Sequence, residues 1–311
     1  MPGRVISPYE QVPVTKADLD WAELVTLDLS SFDQPGRKEE LVKQLEHAVR
    51  HVGFFYVKNF NISQEEVDRQ LALGREFYDL PLEEKLKYHN LAELESGEYN
   101  GYRPAGLRKC YGQHTGVQHS EVRRLSHPTA SPSVARQHQN NRGVQPEMPQ
   151  GSRCKAPPPV RDSARASRRR SAARSAEENK KVGELYTPGH TDLGSVSLLF
   201  RQPVAALQIL SNERNWKWVK PQDATITINT CDALTALTGG YIESSVHRVR
   251  TPPEDQAHID RLGVLYFARP NNHVVLDPLN DSPVLDKLGL TTNQFTELGE
   301  HLTMEEWVKK R

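Results

Sequence analysis

Five short β-prone runs follow one another between residues 197 and 268 and limit the folds that are available to the chain. Turn-forming residues such as Ser211-Asn212 and Pro221-Gln222-Asp223 separate them. Short strands at this close spacing favour a sandwich or jelly roll, in which residues distant in sequence meet at one end of the fold. The runs are Ser197 to Phe200, Ala206 to Leu210, Trp216 to Val219, Ala224 to Ile228 and Leu262 to Ala268.

A candidate metal site lies at the start of this series. His190 and Asp192 are separated by one residue, so in extended backbone the imidazole and the carboxylate leave the same face as a two-point chelate. Such a pair suits a divalent metal such as Fe(II) if a third ligand arrives from elsewhere, and His247 is the candidate. The competing interpretation is a pair of ordinary polar surface residues, because short His-x-Asp pairs occur by chance in many chains.

The composition fits a folded protein of a reduced compartment. A chain of 311 residues can bury a full core. Cys110, Cys154 and Cys231 provide neither an even disulfide framework nor a zinc-type pair. The first residues carry no apolar signal core, and no window approaches the roughly 18 apolar residues of a membrane span. We therefore expect a cytoplasmic protein.

The first hundred residues predict a helical and strand region. Val12 to Leu29 favours a first strand, and Pro35-Gly36 turns the chain into a helix with one apolar stripe. Gly53 to Val57 is a buried-strand run. Ser63 with Glu66 three positions later predicts a capping box that opens a second helix, and a third helix begins near residue 81. The apolar stripe of the first helix consists of Leu41, Leu45, Ala48, Val49 and Val52.

Residues 113–174 differ from the rest of the chain in composition. They contain no Phe, Trp, Tyr or Ile, and twelve Lys and Arg residues face three Asp and Glu residues. This stretch cannot bury enough apolar area to offset chain entropy, so we predict disorder or a solvated linker. Three interpretations stay open: a basic arm that binds nucleic acid, a functional disordered insertion, and sequence read out of frame or through a retained intron. The Arg, Ser, Ala and Pro bias favours the third.

Several motifs together resemble one family, the 2-oxoglutarate- and Fe(II)-dependent dioxygenases, in particular the branch similar to isopenicillin N synthase. The resemblance covers about the first hundred residues and everything from about Glu184 onward. The motifs are His51 to Val57, His190-Thr191-Asp192, Leu207-Gln208-Ile209, Trp216-Lys217-Trp218-Val219, Asn229-Thr230-Cys231-Asp232, Leu237-Thr238-Gly239-Gly240-Tyr241, His247-Arg248-Val249, and Arg261 before Leu265-Tyr266-Phe267.

The resemblance implies a mainly β fold with flanking helices, a double-stranded β-helix or jelly roll. The composition adds a middle segment that is disordered or atypical. We expect residues 1–112 to form the N-terminal helical and strand region of that fold. Residues 113–176 would form the Arg-, Ser- and Pro-rich segment, residues 177–290 the jelly-roll core, and residues 291–311 a C-terminal helix. Trp307 in that helix is expected to pack rather than to bind a ligand.

The resemblance also implies the site residues. His190, Asp192 and His247 would hold Fe(II) as a facial triad, with the remaining positions open to 2-oxoglutarate and O2. Arg261 resembles the family arginine that grips the distal carboxylate of 2-oxoglutarate. Two residues later the family usually has Ser, whereas this chain has Gly263, so one hydrogen bond to that carboxylate is absent or comes from another group.

Three further residues have weaker interpretations. Arg248 and Arg250 are fallback candidates for the carboxylate anchor. Cys231 stands where relatives commonly have Gly, which a turn with positive φ would favour. We expect it to be a small buried thiol and not a catalytic residue.

The function that follows from the resemblance is oxidation of a small organic molecule, by hydroxylation or desaturation, in secondary metabolism. No nucleic-acid or membrane partner is expected, and the sequence predicts no oligomeric state. Two alternatives stay open. One is an oxidase similar to isopenicillin N synthase that does not use 2-oxoglutarate, which Gly263 weakly favours. The other is a non-functional or mis-spliced member of the family.

Overall fold

The chain folds into two β-sheets flanked by helices, as the computed structural model shows. The structure describes residues 6–90, 102, 114–118, 165–171, 176–181 and 183–310, with the backbone alone at 114–118, 165–171, 176, 178 and 181. The strands are β1 Thr26–Asp28, β2 Phe54–Lys58, β3 His114–Gln118, β4 Arg165–Ser171, β5 Leu185–His190, β6 Val196–Phe200, β7 Leu207–Leu210, β8 Trp216–Trp218, β9 Thr225–Thr230, β10 His247–Arg250 and β11 Arg261–Ala268.

The larger sheet has seven strands in the order β1-β2-β9-β6-β11-β4-β3, and the smaller has four in the order β5-β10-β7-β8. Strands β1 and β2 run parallel, and the other paired strands run antiparallel. Apart from the consecutive pair β7 and β8, neighbours in each sheet are far apart in sequence, as in a jelly roll. The predicted fold class is therefore confirmed.

The five β-prone runs of the second half all form strands, β6, β7, β8, β9 and β11, whose ends differ from the predicted ends by no more than two residues. The predicted strand after Gly53 is also present as β2. The first strand is much shorter than predicted. Only Thr26–Asp28 pairs with β2, and the polar chain before it makes an isolated bridge from Trp21 to Trp218.

The predicted N-terminal helices are confirmed. Helix α1 spans Arg37–His51, α2 spans Gln64–Tyr78 and α3 spans Leu82–Leu86. Ser63 and Glu66 form the expected capping box at the start of α2, so two backbone N–H groups that would lack helical partners are hydrogen bonded. Among the described residues, no helix has the length and apolar character that crossing a membrane requires.

The apolar stripe of α1 packs against the larger sheet. Leu41, Ala48 and Val49 join a core cluster with Phe55 and Val57 of β2. Leu45, which we placed on the same stripe, is instead exposed and does not belong to this cluster. The remaining described α-helices are Ala176–Lys181, Asp232–Leu237, Pro283–Leu288 and Met304–Lys310.

The middle segment, predicted to be disordered, contributes two strands where the structure describes it. Strand β4 pairs antiparallel with β11 in a register that joins Arg261 to Ser171, and β3 pairs with β4. The prediction of disorder does not hold for these twelve residues. That prediction considered only whether the segment could form an apolar core of its own. Strand pairing instead uses backbone N–H and C=O groups, and the edge of β11 offers hydrogen-bond partners for them. The other residues of this segment lie outside the described part of the chain.

The C-terminal helix spans only Met304–Lys310 of the predicted range 291–311. Met304 is fully buried and Trp307 packs edge-on against Phe295, with ring centroids 4.6 Å apart. Both belong to a core cluster that includes Leu276 and the helix after β9. The packing role predicted for Trp307 is confirmed.

Candidate active site

The three sequence-predicted metal ligands meet where two strands of the smaller sheet end. His190 is the last residue of β5 and His247 is the first of β10, and the antiparallel register places these residues opposite each other. Asp192 follows β5 in the turn toward β6. One ligand atom from each of the three side chains lies within 4.8 Å of the other two. The 54 residues between Asp192 and His247 thus fold back on themselves.

Both imidazoles are oriented by the backbone. The Nδ1 atom of His190 lies 2.9 Å from the carbonyl oxygen of Pro188, and Nδ1 of His247 lies 3.1 Å from that of Ser245. A carbonyl oxygen only accepts, so each Nδ1 is the donor, and in a neutral imidazole Nε2 then presents its lone pair. The two Nε2 atoms lie 3.8 Å and 3.9 Å from Oδ1 of Asp192.

The carboxylate of Asp192 is oriented as well. Its Oδ2 accepts hydrogen bonds from Oγ of Ser197 at 2.7 Å and from Nδ2 of Asn229 at 3.2 Å. With Oδ2 held in this way, Oδ1 faces the two imidazoles. Ser197 and Asn229 are buried and lie in neighbouring strands β6 and β9. Sequence analysis did not single them out, although polar residues at inward-facing strand positions were the available signal.

The donor set fits a divalent transition metal. Two neutral imidazole nitrogens and one carboxylate oxygen on one side of a point leave the other side open, which is the arrangement of non-haem Fe(II) oxygenases. The second partners of all three side chains, described above, have the orienting role that outer-shell hydrogen bonds have in metal sites. These residues therefore fit Fe(II).

A cavity between the sheets extends from the three ligands to Arg261, the first residue of β11. Arg261 is 9% exposed, and its guanidinium provides a planar donor fork suited to a carboxylate. Gln202, in the loop after β6, also lines this cavity, and sequence analysis missed it. The rest of the lining is largely apolar: Phe54, Leu199, Leu207, Val249, Leu265 and Phe267.

The fallback arginines lie elsewhere. Arg248 donates to Oε1 of Gln208 at 2.7 Å and stacks on Trp216, with its guanidinium carbon 4.0 Å from the ring centroid. Arg250 forms an ion pair with Glu184. Neither side chain lines the cavity within the described part of the chain. Of the three candidate arginines, Arg261 is thus the one whose position suits a carboxylate in the cavity.

Cys231 adopts extended backbone with φ −126°, so the turn does not require glycine there. The side chain is fully buried, and its thiol contacts Ser197 and Asn229. Burial first, and the neighbouring Asp192 carboxylate second, raise the pKa of the Cys231 thiol. A protonated buried thiol is neither a nucleophile nor a metal ligand, in agreement with the packing role expected from the sequence.

Two protein-family models match the chain. The model described as non-haem dioxygenase in morphine synthesis N-terminal matches residues 24–146, and the 2OG-Fe(II) oxygenase superfamily model matches residues 158–270. Together they leave residues 147–157 between them. The family similarity therefore extends further into the middle segment than the motifs found by sequence analysis.

Individual proteins agree with these models. Flavanone 3-dioxygenase 2 of Oryza sativa is 26% identical over 341 aligned positions, which cover 100% of this chain and 90% of that protein. A 2-oxoglutarate-dependent dioxygenase of Aspergillus fumigatus is 31% identical over 153 positions, only 41% of this chain and 40% of that one. The fold is similar to that of a full-length Neurospora crassa protein solved in complex with alpha-KG, with a TM-score of 0.67 and 19% identity over 93% of this chain and 95% of that protein. The chain therefore belongs to the 2-oxoglutarate- and Fe(II)-dependent oxygenase superfamily, and it is a dioxygenase that uses Fe(II), 2-oxoglutarate and O2.

Proposed function

We propose that His190, Asp192 and His247 are the Fe(II) ligands of this dioxygenase. The observation that carries the proposal is the convergence of two Nε2 lone pairs and one carboxylate oxygen at the ends of β5 and β10. Neutral imidazoles bind a metal without first losing a proton. Asp192 adds one negative charge, which lowers the net charge of the bound dication.

We propose that Arg261 holds the distal carboxylate of 2-oxoglutarate. A buried guanidinium offers two parallel N–H donors to a carboxylate, and this bidentate contact fixes both the position and the direction of the ligand. Arg261 lines the same cavity as the three metal ligands, so one elongated ligand can contact both ends. Its opposite end would then lie beside the metal.

When bound, Fe(II) with 2-oxoglutarate and O2 would supply the oxidising chemistry, in which a C–H bond of the substrate is oxidised while the co-substrate becomes succinate and CO2. The protein itself contributes position and a dry environment. Ser197 and Asn229 hold Asp192, and Pro188 and Ser245 hold the imidazoles. The apolar lining of the cavity excludes water from the reacting groups.

The substrate that we propose is a small organic molecule of secondary metabolism, which is hydroxylated or desaturated. The proposal is supported by the largely apolar lining around the triad, which suits an organic molecule better than a charged polymer. We propose no nucleic-acid or membrane partner and a cytoplasmic location. The buried free thiol of Cys231 is compatible with a reduced compartment.

We also propose that residues 1–112, 177–290 and 291–311 form one folded unit, and that residues 113–176 are attached to it. Pairing of β2 with β9, and packing of the C-terminal helix beside the helix after β9, support this division. The strands β3 and β4 mark where the middle segment contacts the unit.

The experiment that tests the site is an anaerobic titration of the protein with Fe(II) and 2-oxoglutarate, followed by the visible metal-to-ligand charge-transfer band. We expect a saturable band, loss of the band in His190→Ala, and a weaker apparent affinity for 2-oxoglutarate in Arg261→Leu. Arg250→Leu is the matched control, because Arg250 is an ion-paired arginine that does not line the cavity. A wild-type band that survives unchanged in His190→Ala and Asp192→Ala would contradict the ligand assignment.

A further inference from the structure

One position on the cavity face of β11 carries no side chain. Residues of a strand alternate between its two faces, so Arg261, Gly263, Leu265 and Phe267 share a face. Arg261, Leu265 and Phe267 line the cavity, and Gly263 interrupts this row. The interruption lies next to the arginine proposed to anchor the co-substrate.

The amide of Gln202 fills this gap. A Cβ added to Gly263 would lie 1.5 Å from Nε2 of Gln202 and 2.8 Å from its Cδ. The amide thus occupies the volume in which a side chain at position 263 would begin. Gln202 reaches this place from the loop after β6, the strand that pairs with β11. Any residue larger than glycine at position 263 would displace the amide.

The Gln202 side chain is polar, buried and incompletely hydrogen bonded. It is 8% exposed, and within the described ranges no donor reaches its Oε1 atom. A buried amide without its partners is destabilising unless a ligand or a bound water completes its hydrogen bonds. Because the side chain lines the same cavity as Arg261, its NH2 group can donate to an acceptor on a ligand in that cavity.

We infer that Gln202 is a co-substrate-binding residue that donates an N–H hydrogen bond to the distal carboxylate of 2-oxoglutarate beside Arg261. The inference rests on the proposed function, because it takes Arg261 as the anchor of that carboxylate. An ionised carboxylate has about four acceptor sites, so a bidentate arginine leaves lone pairs for a second donor. Nε2 is the end of the amide that lies beside Gly263, in the gap of the strand face that carries Arg261.

This assignment gives Gln202 a role in specificity. The amide adds a directional donor without adding charge, so it favours a 2-oxo acid that ends in a carboxylate over one that ends in a methyl group. A hydrogen bond from the amide to an ionised carboxylate is stronger than one to a neutral acceptor. Glycine at position 263 is then required for space, because the amide and a Cβ cannot occupy the same volume.

The test compares two ligands in the anaerobic charge-transfer titration with Fe(II): 2-oxoglutarate, and 2-oxovalerate, which has the same chain length without the distal carboxylate. In Gln202→Leu we expect the apparent Kd for 2-oxoglutarate to rise by roughly tenfold or more, as for loss of a hydrogen bond to a charged group. The Kd for 2-oxovalerate should stay within about twofold, as no charged acceptor is lost. Gln202→Met, which keeps the length of the side chain, replaces Gln202→Leu if that variant does not fold.

Two further variants complete the design. Gln208→Leu removes another buried glutamine, whose Oε1 accepts from Arg248 away from the cavity, and should change neither Kd. Gly263→Ser combined with Gln202→Ala replaces the amide with a hydroxyl donor and should recover part of the affinity for 2-oxoglutarate. A charge-transfer band in the wild type would uphold the proposed function. With that band present, an equal loss of affinity for both ligands, or no loss for either, would overturn the role of Gln202. Absence of a wild-type band would instead overturn the proposed function.

Discussion

Oγ of Ser197 lies 2.7 Å from Oδ2 of Asp192 and donates a hydrogen bond to it. The bond joins β6 to the turn that precedes it and holds the carboxylate with Oδ1 directed at the two imidazoles. Asn229 donates to the same oxygen from the neighbouring strand β9. The larger sheet thus orients one ligand, while the smaller sheet carries the other two.

Ser197→Ala should weaken Fe(II) binding by roughly tenfold or more, because outer-shell partners of metal ligands commonly contribute 10- to 100-fold in affinity. The carboxylate remains in this variant, but it loses the hydrogen bond from Ser197, which is shorter than the one from Asn229. Anaerobic competition with a coloured Fe(II) chelator measures the change. Ser282→Ala, at the N-cap of a distant helix, serves as the control. Equal affinities for wild type and Ser197→Ala would show that the carboxylate is positioned without the hydrogen bond from Ser197.

Substitution of Gly53, between α1 and β2, should have a large effect on stability. Its φ is +69°, and an added Cβ would lie 2.8 Å from both the carbonyl oxygen of Glu243 and Oγ1 of Thr230. Gly53→Ala should lower the free energy of unfolding by about 2–4 kcal/mol, from backbone strain together with the clash. Urea unfolding followed by circular dichroism measures the difference.

Gly36→Ala separates the two contributions. Gly36 has a similar φ of +77°, but a Cβ there would have no neighbour within 4 Å among the described atoms. The control variant should therefore lose only about 1 kcal/mol, the cost of left-handed backbone for alanine. If the two variants were equally destabilised, the close contact with Glu243 would not contribute to the cost of a side chain at position 53.

The metal-binding group could be predicted from the sequence because its signal is local. His190 and Asp192 lie two residues apart beside a strand, and the structure places them as the spacing indicates. His247 was found through the motifs that surround it. The capping box of Ser63 and Glu66 could be predicted for the same reason, since both partners lie within one helical turn.

The residues that support the site were not predictable in this way. Ser197, Asn229 and Gln202 act on positions 5, 37 and 61 residues away from them, at Asp192 and Gly263. No periodicity marks such a pair, because only the strand order decides which side chains meet. Glycine at position 263 suggested that a hydrogen bond was missing, and only the fold shows which side chain stands in its place.

In the middle segment, composition led to a structural prediction that tertiary pairing overrides. Its composition predicted disorder, since an Arg-rich stretch without aromatic residues has no core of its own. Composition carries no information about a neighbouring strand edge, and β11 provides one for β4. Strand formation there depends on a partner that no local pattern reveals.

Asp28 makes the stability of the protein depend on pH in the acid range. Hydrogen bonds from the backbone N–H of Ser30 and then from Asn59, with Lys58 close by, hold the pKa of the Asp28 carboxyl well below its usual range. The unfolded chain therefore binds more protons than the native one at acid pH. The contribution of Asp28 is complete above its unfolded pKa of about 4 and is lost as the pH falls below that value.

Asp28→Asn should accordingly reduce the slope of unfolding free energy against pH below about pH 4.5, with the smallest difference from wild type at the most acid pH. Urea unfolding at several pH values measures both curves. Asp33→Asn, at an exposed position in the following turn, is the control. A variant curve parallel to that of wild type across the acid range would exclude Asp28 as the source of the dependence.

Metal binding should stabilise the fold, because the ligands come from separate strands and converge only in the native state. At a free Fe(II) concentration 100 times its Kd, the gain is about 2.7 kcal/mol. We expect an anaerobic rise in Tm with Fe(II) that a chelator reverses. Asp192→Asn keeps the shape of the side chain but removes its charge, so this rise should largely disappear. Asp223→Asn, at a surface ion pair with Arg201, should retain it. An undiminished Fe(II)-dependent rise in Asp192→Asn would place the stabilising metal elsewhere.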